Sequence, residues 1–352
     1  MERWVADLCR RMPKAELHLH LDGAMDTSAA IQLAAKTGWA GLDRPLGYKE
    51  LYKRAVVQQN ARNQHELLEY FELPGLLLHT EEAMRMITRS LMIEKAADNV
   101  RYFEIRWAPV FHRARGLSSR QVVEIVQDEC ERVAAATGQT FRLIVCGIRT
   151  LPLEENIRML EEVAPLLGDK LVAADYAGLE ATSPDTMAQE SFFIRARELG
   201  FAITLHCGEL PGSAPRILEA VEKLSPRRIA HGPPSIDDPG LCALLKEKGI
   251  MLDLCPTSNI QGGLFPDHES YPLRDLIKAG VPVSVNTDGN ALNDLTLSDE
   301  YLRLLDAGQL DLATLWRLNL DALSHAFLPE DEKAALLAEF KHWAELIPEL
   351  DV

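Results

Sequence analysis

The feature that most constrains the fold is an alternation. Short runs rich in β-branched residues are separated by longer amphipathic stretches along the whole 352-residue chain. Such alternation builds a parallel sheet whose strands are joined by crossover helices. Eight strands are expected, over residues 15–21, 100–109, 141–148, 171–177, 201–207, 228–231, 250–255 and 281–286. Helices are expected between them over 81–98, 119–136, 185–199 and 239–248, several followed by a Gly or Asn stop signal. Eight such units predict an α/β fold of the (β/α)8 TIM barrel type. A doubly wound open sheet is the competing arrangement, but it would more often carry Gly-x-Gly-x-x-Gly after its first strand, and that turn is missing here.

The connection from about 22 to 99 is longer than a crossover needs and holds helical stretches such as 64–71, the pattern of a helical lid. Residues 301–352 read as further helices, with 311–326 and 330–346 amphipathic. With no repeat, linker or low-complexity segment, 1–352 reads as one elaborated barrel domain. A 47% hydrophobic content supplies its core and excludes disorder as the main state. A formal charge of -16, from 53 acidic against 37 basic residues, repels phosphate backbones and anionic membranes, so neither nucleic acid nor a membrane is an expected partner. The first residues mix charges and no later run approaches the roughly 18 apolar residues of a spanning helix, so a cytoplasmic protein is expected. Six scattered cysteines without a Cys-x-x-Cys pair read as buried free thiols.

Chemistry-bearing residues gather at the C-terminal ends of the expected strands. His18 and His20 lie two apart on the first, so both imidazoles face one way. His206 ends the fifth, with Glu209 three positions on; His231 ends the sixth; Asp288 follows the eighth. Each has a plain structural alternative: a core histidine, a capping carboxylate, an Asp-Gly turn. Jointly they stand where barrel enzymes assemble their sites, and three imidazoles with one carboxylate suit zinc with room for a water, or else iron, manganese or cobalt.

Pro13 to Gly23, His206-Cys207-Gly208-Glu209, Arg228-Ile229-Ala230-His231-Gly232, Cys255-Pro256-Thr257-Ser258-Asn259 and Asn286-Thr287-Asp288 stand in the order of the motifs of adenosine deaminases, in the amidohydrolase superfamily, and the sequence resembles that family over nearly its whole length. The resemblance implies one zinc ion held by His18, His20, His206 and Asp288, and a metal-bound water attacking C6 of a purine. It implies that Glu209 protonates the ring nitrogen N1, that His231 orients the water and helps deprotonate it, that the Gly178 N–H meets N3, and that Asp22 faces the 5′ end of the ribose. Like Asp22 and Gly178, His20 is expected to border the substrate. A second ion bridged by a strand-four lysine, as in other members of the superfamily, is not expected, since Lys170 only precedes that strand.

Two positions depart from the family. Gly289 stands where a second Asp usually contacts N7, and Leu179 follows Gly178 where Asp is common. Either Asn290 or Asn293 is expected to replace the N7 contact, or a larger purine substituent to fill the vacated space. The expected reaction is hydrolytic deamination of a 6-aminopurine nucleoside, adenosine first. The alternatives are a related amine (adenine, an N6-substituted adenine nucleoside, 6-aminodeoxyfutalosine), a non-catalytic nucleoside binder, and a binuclear amide or ester hydrolase. Tyr70, Phe71 and Phe111 read as core, and His65, His79, His112, His268, His325 and His342 as surface or capping residues.

Overall fold

Parallel strands covered on both faces need apolar side chains at nearly every position, and the eight expected runs supply them. In a computed structural model of the chain, which describes residues 3–37, 42, 44–58, 60–182 and 189–347, they form one sheet in sequence order. The strands are β1 (Lys14–His20), β2 (Val100–Trp107), β3 (Thr140–Ile148), β4 (Leu171–Ala177), β5 (Ala202–Cys207), β6 (Arg228–His231), β7 (Met251–Leu254) and β8 (Val283–Val285). All neighbouring pairs from β1 to β8 are parallel.

Closure onto β1 comes from the segment after β8. His20 N donates to Asp288 O at 2.6 Å, and Asp288 N to His18 O at 3.1 Å. The side-chain oxygen of Asn286 takes the N–H groups of Leu17 (2.7 Å) and His18 (3.1 Å). This is why β8 stops at Val285 and not at the expected 286: an amide side chain takes over the pairing that a strand backbone would make. The same closure sets Asp288 beside the two histidines of β1.

The crossover helices follow their end signals. Thr80 caps Glu81–Ala97 by accepting from Ala83 N, and Ser118 with Gln121 forms a capping box for Ser119–Thr137, which stops at the left-handed Gly138. Of the helix expected over 185–199, Glu190–Leu199 is observed, and 185–188 lie outside the described residues, as do 348–352 at the C-terminal end. The long connection after β1 carries Thr27–Lys36, Tyr48–Ala55, Gln64–Leu68 and Glu72–Leu77 before the crossover helix. The expected helix 64–71 is α-helical only to Leu68 and tightens into a 3-10 turn over Glu69–Phe71. After β8 come Leu297–Asp306, Leu312–His325 and Glu330–Glu345. Asn319, on the second of these, bonds the Ala15 N–H (2.8 Å) and so ties it to β1. All six cysteines are buried and free. Among the described residues no helix is long and apolar enough to cross a membrane.

Candidate active site

The C-terminal strand ends bring His18, His20, His206 and Asp288 so close that one ligand atom from each lies within 4.8 Å of the others. His18 Nε2 stands 3.2 Å and His20 Nε2 3.4 Å from Asp288 Oδ1, and the Nε2 atoms of His20 and His206 are 3.0 Å apart. Burial pushes the His20 imidazole down to about 3 and holds His18 well below the usual histidine range, so both rings are neutral lone-pair donors. Neither ring nitrogen of His18 has a hydrogen-bond partner. Unpaired imidazole nitrogens converging on a carboxylate oxygen in a buried site fit a divalent cation. A second grouping, His18, His231, Cys255 and Asp288, is equally compact, but burial drives the Cys255 thiol well above its ordinary range and keeps it protonated. The imidazole set is chemically the better cage.

The surrounding residues orient this set. Asp175 on β4 accepts from Nδ1 of His206 (2.8 Å) and from Arg106 (2.8 Å), which turns the other His206 nitrogen toward the cluster. Ser258 donates to Asp288 Oδ2 at 2.6 Å. Asp288 and His231 both adopt left-handed backbone, at φ 63 and φ 70, a strain that recurs where function fixes a side chain. Lys170, the residue weighed as bridge to a second ion, sits over the Phe141 ring at 5.3 Å, at the opposite ends of β3 and β4.

Glu209 is held over this cluster by its own loop. Gly208 has φ +94, and a Cβ there would stand 2.7 Å from Gly232 Cα, so only glycine lets β5 turn here. The buried carboxylate of Glu180, from the turn after β4, accepts from Gly208 N (3.1 Å) and Glu209 N (2.8 Å) and so clamps the loop. Burial pushes the Glu209 carboxyl up to about 8, and its Oε1 lies 3.5 Å from His231 Nε2. Asn259, whose oxygen takes the Tyr271 hydroxyl at 3.0 Å, donates to His231 Nδ1 at 3.1 Å. The hydrogen of the neutral His231 ring therefore sits on Nε2, toward Glu209. Glu180, Asp175 and Asn259 escape sequence reading as site residues: Asn259 closes one of the quoted motifs and Asp175 and Glu180 flank Gly178 in the chain, but their roles depend on contacts between strands.

Beside His20 opens a cavity of about 510 Å³ whose wall includes Asp22 and Gly178, both expected at the substrate. Burial pushes Asp22 up to about 6. Three expectations are corrected here. Phe71 and Phe111 line this cavity instead of belonging only to the core. His112 is buried in its wall and is no surface residue. The loop after Asp288 is already engaged: the Asn290 amide donates to both oxygens of Glu94 (2.7 and 2.8 Å), and the Asn293 amide gives one of its hydrogens to Thr287 O (2.9 Å). A Cβ at Gly289 would meet Leu292 Cβ at 3.2 Å and Gly23 Cα at 3.3 Å, so the chain itself has closed over the position of the absent carboxylate.

With this geometry in place, comparison with known proteins is direct. The profile of the family described as "Adenosine deaminase" matches residues 13–343. The adenosine deaminase of Lacticaseibacillus paracasei is 34% identical over 328 residues, which cover 93% of this chain and 94% of that protein. An amidohydrolase of Burkholderia ambifaria with bound Zn superposes with a TM-score of 0.88 at 25% identity, covering 99% of this chain and 96% of that one. The Arabidopsis N6-mAMP deaminase superposes with a TM-score of 0.83 at 25% identity, covering 97% and 100%.

Proposed function

The chain belongs to the adenosine deaminase family, and from that premise we propose that it is a hydrolytic deaminase acting on a 6-aminopurine nucleoside, with adenosine as first substrate and one zinc ion as cofactor. The observation that carries this reading is the pairing of a cation-ready cluster with a carboxyl kept protonated beside it. His18, His20, His206 and Asp288 would hold the metal. When bound, a zinc ion supplies the Lewis acidity that makes a water nucleophilic at neutral pH.

The chain's own residues then handle protons and orientation. Addition of water at C6 is slow while the ring keeps its aromatic electron distribution, and protonation at N1 relieves this. Glu209, raised to about 8, is still a neutral acid at pH 7 and is placed to give its proton to N1. Water oxygen bonds to C6, the C6–amine bond breaks, and the departing amine leaves as ammonia after taking one proton from the attacking water, while the other water proton leaves the new C6 carbonyl and restores the Glu209 acid. His231, with hydrogen at Nε2, is set to orient the attacking water as a donor; accepting a proton there would first require the Asn259 contact to reverse. Gly178, left-handed at φ +100, is proposed to offer its N–H to N3, and Asp22 to bind the ribose.

A panel of aminopurines tests the reading through ammonia release. Adenosine should be turned over, with Glu209→Gln slower by roughly 10²- to 10⁴-fold at nearly unchanged metal content. Near-normal turnover by that variant would assign the proton to another group. Since both amides near Gly289 are engaged, 7-deazaadenosine should lose little relative to adenosine. The apolar wall formed by Leu68, Phe111 and Leu179 favours a second reading, a purine with an apolar N6 substituent, which rapid turnover of N6-methyladenosine with poor turnover of adenosine would establish.

A further inference from the structure

His112 ends the short 3-10 turn Pro109–His112 that follows β2, and it is 2% exposed within the wall of the substrate cavity. Its Nδ1 lies 2.8 Å from the carbonyl oxygen of Leu78. A carbonyl oxygen only accepts, so Nδ1 carries the hydrogen, and in the neutral ring Nε2 holds a lone pair. Burial keeps the ring neutral, pushing it down to about 4. That Nε2 is buried and has no partner. Buried acceptors are rarely left so, because each one unpaired carries a desolvation penalty.

The same wall repeats the pattern. Asp22 Oδ1 is likewise buried without a partner, Glu69 adds a second carboxylate, and among the described residues the wall holds no Lys or Arg. The wall thus offers an imidazole lone pair and two carboxylates with no guanidinium or ammonium beside them. A sugar hydroxyl brings a hydrogen to such a place. A phosphate dianion brings only more lone pairs and negative charge.

We propose that His112 Nε2 accepts a hydrogen bond from a ribose hydroxyl of the nucleoside, so that the cavity selects an uncharged sugar and turns away a sugar phosphate. This assignment rests on the deaminase reading above.

The test is steady-state deamination of adenosine, its 2′-, 3′- and 5′-deoxy analogues and AMP by the wild type and by His112→Asn. The asparagine amide nitrogen falls where Nδ1 stands, so the Leu78 contact is kept while the acceptor is removed. In the wild type one of the three deoxy analogues should lose kcat/KM by about tenfold to a hundredfold. In His112→Asn adenosine should fall by a similar factor, mostly through KM, while that analogue falls no further and AMP stays poor in both proteins. His112→Gln, which carries an amide out to the Nε2 position, should recover part of the discrimination; it also makes the comparison if the asparagine variant fails to fold. Equal losses on every substrate, no loss on any, or wild-type turnover of AMP matching adenosine would overturn the assignment. A wild type inactive on all five compounds and on N6-methyladenosine would instead overturn the deaminase reading, and the assignment with it, an outcome distinct from intact turnover with a silent His112.

Discussion

Two buried polar clusters share this barrel and are built on opposite rules. In the first, Arg228, Glu104 and Asp253, every side-chain nitrogen and oxygen is paired. Arg228 reaches Asp253 Oδ2 through Nε (3.0 Å), both Glu104 oxygens, and the His325 carbonyl (2.9 Å). Tyr102 and Phe327 N complete Glu104, and Ser284 completes Asp253. In the second, at the mouth, both nitrogens of His18, Asp22 Oδ1, His112 Nε2 and His231 Nε2 are buried without partners. A closed network fixes packing. An open one carries an energetic penalty that only a ligand relieves, and this marks the mouth as the working end.

The largest expected effect tests the open cluster. Stripping metal with a chelator should abolish turnover, and zinc should restore it, while circular dichroism and cooperative unfolding persist because the core and the closed network do not depend on the ion. The metal-free protein should melt lower, by the stabilisation that binding to the native state alone provides. Global unfolding on chelation would erase the distinction, since the mouth would then be structural too.

Next in size is the converse. Arg228→Met removes the cation that joins Glu104 to Asp253, leaving Asp253 only the more distant Arg106 (3.5 Å) and Glu104 without its guanidinium, so it should cost about 3–5 kcal/mol of stability in denaturant titration. The fraction that stays folded should keep near-normal kcat. A selective loss of kcat with unchanged stability would show that the closed network serves the chemistry directly.

The open cluster was the more legible of the two in sequence, and the reason is geometric. Period-two spacing places His18 and His20 on one face, and strand ends place His206, His231 and Asp288 at one rim, so chain position alone predicts their convergence. Family resemblance then supplied their roles. Phe71 and Phe111 sit on 3-10 turns in connections, where side-chain direction follows from tertiary packing and no period reveals it. Glu180 clamps a loop 29 residues further along, a contact visible only once β4 and β5 stand side by side. The engaged amides of Asn290 and Asn293 were hidden for the same reason: Glu94, which engages Asn290, lies 196 residues away in the chain.

Asp175 stands on the border between the clusters, bonded to Arg106 on one side and His206 on the other. Asp175→Asn keeps the shape, but its NH2 must replace either Oδ2, which serves Arg106 and His206 Nδ1 together, or Oδ1, which takes the Tyr176 and His206 backbone N–H groups, so it should lose in both currencies: roughly 10- to 100-fold in zinc affinity, read by competition with a chromophoric chelator, and a measurable fall in Tm. Weakened zinc binding with unchanged Tm would assign Asp175 to the mouth alone.

The smallest effect separates the clusters by the sign of their pH response. At the mouth, burial raises Glu209 from 4.5 to about 8 and Asp22 from 3.8 to about 6, so the folded protein binds protons that the unfolded chain has already released. Stability from these groups is full below about pH 4 and declines as pH rises toward 8. Asp175, held well below 3.8 by its hydrogen bond from His206 and the Arg106 charge, which outweigh its desolvation, behaves oppositely: its contribution is present above about pH 4 and is lost in acid. Metal-free Glu209→Gln removes one raised group, so its Tm should gain on the wild type as pH goes from 5 to 8, the difference levelling above about 8 where the wild-type carboxyl is ionised in both states. A difference in Tm that stays flat over that range would mean that Glu209 is not held protonated by the fold, and the mouth would then lose its claim to a carboxylic acid that donates at neutral pH.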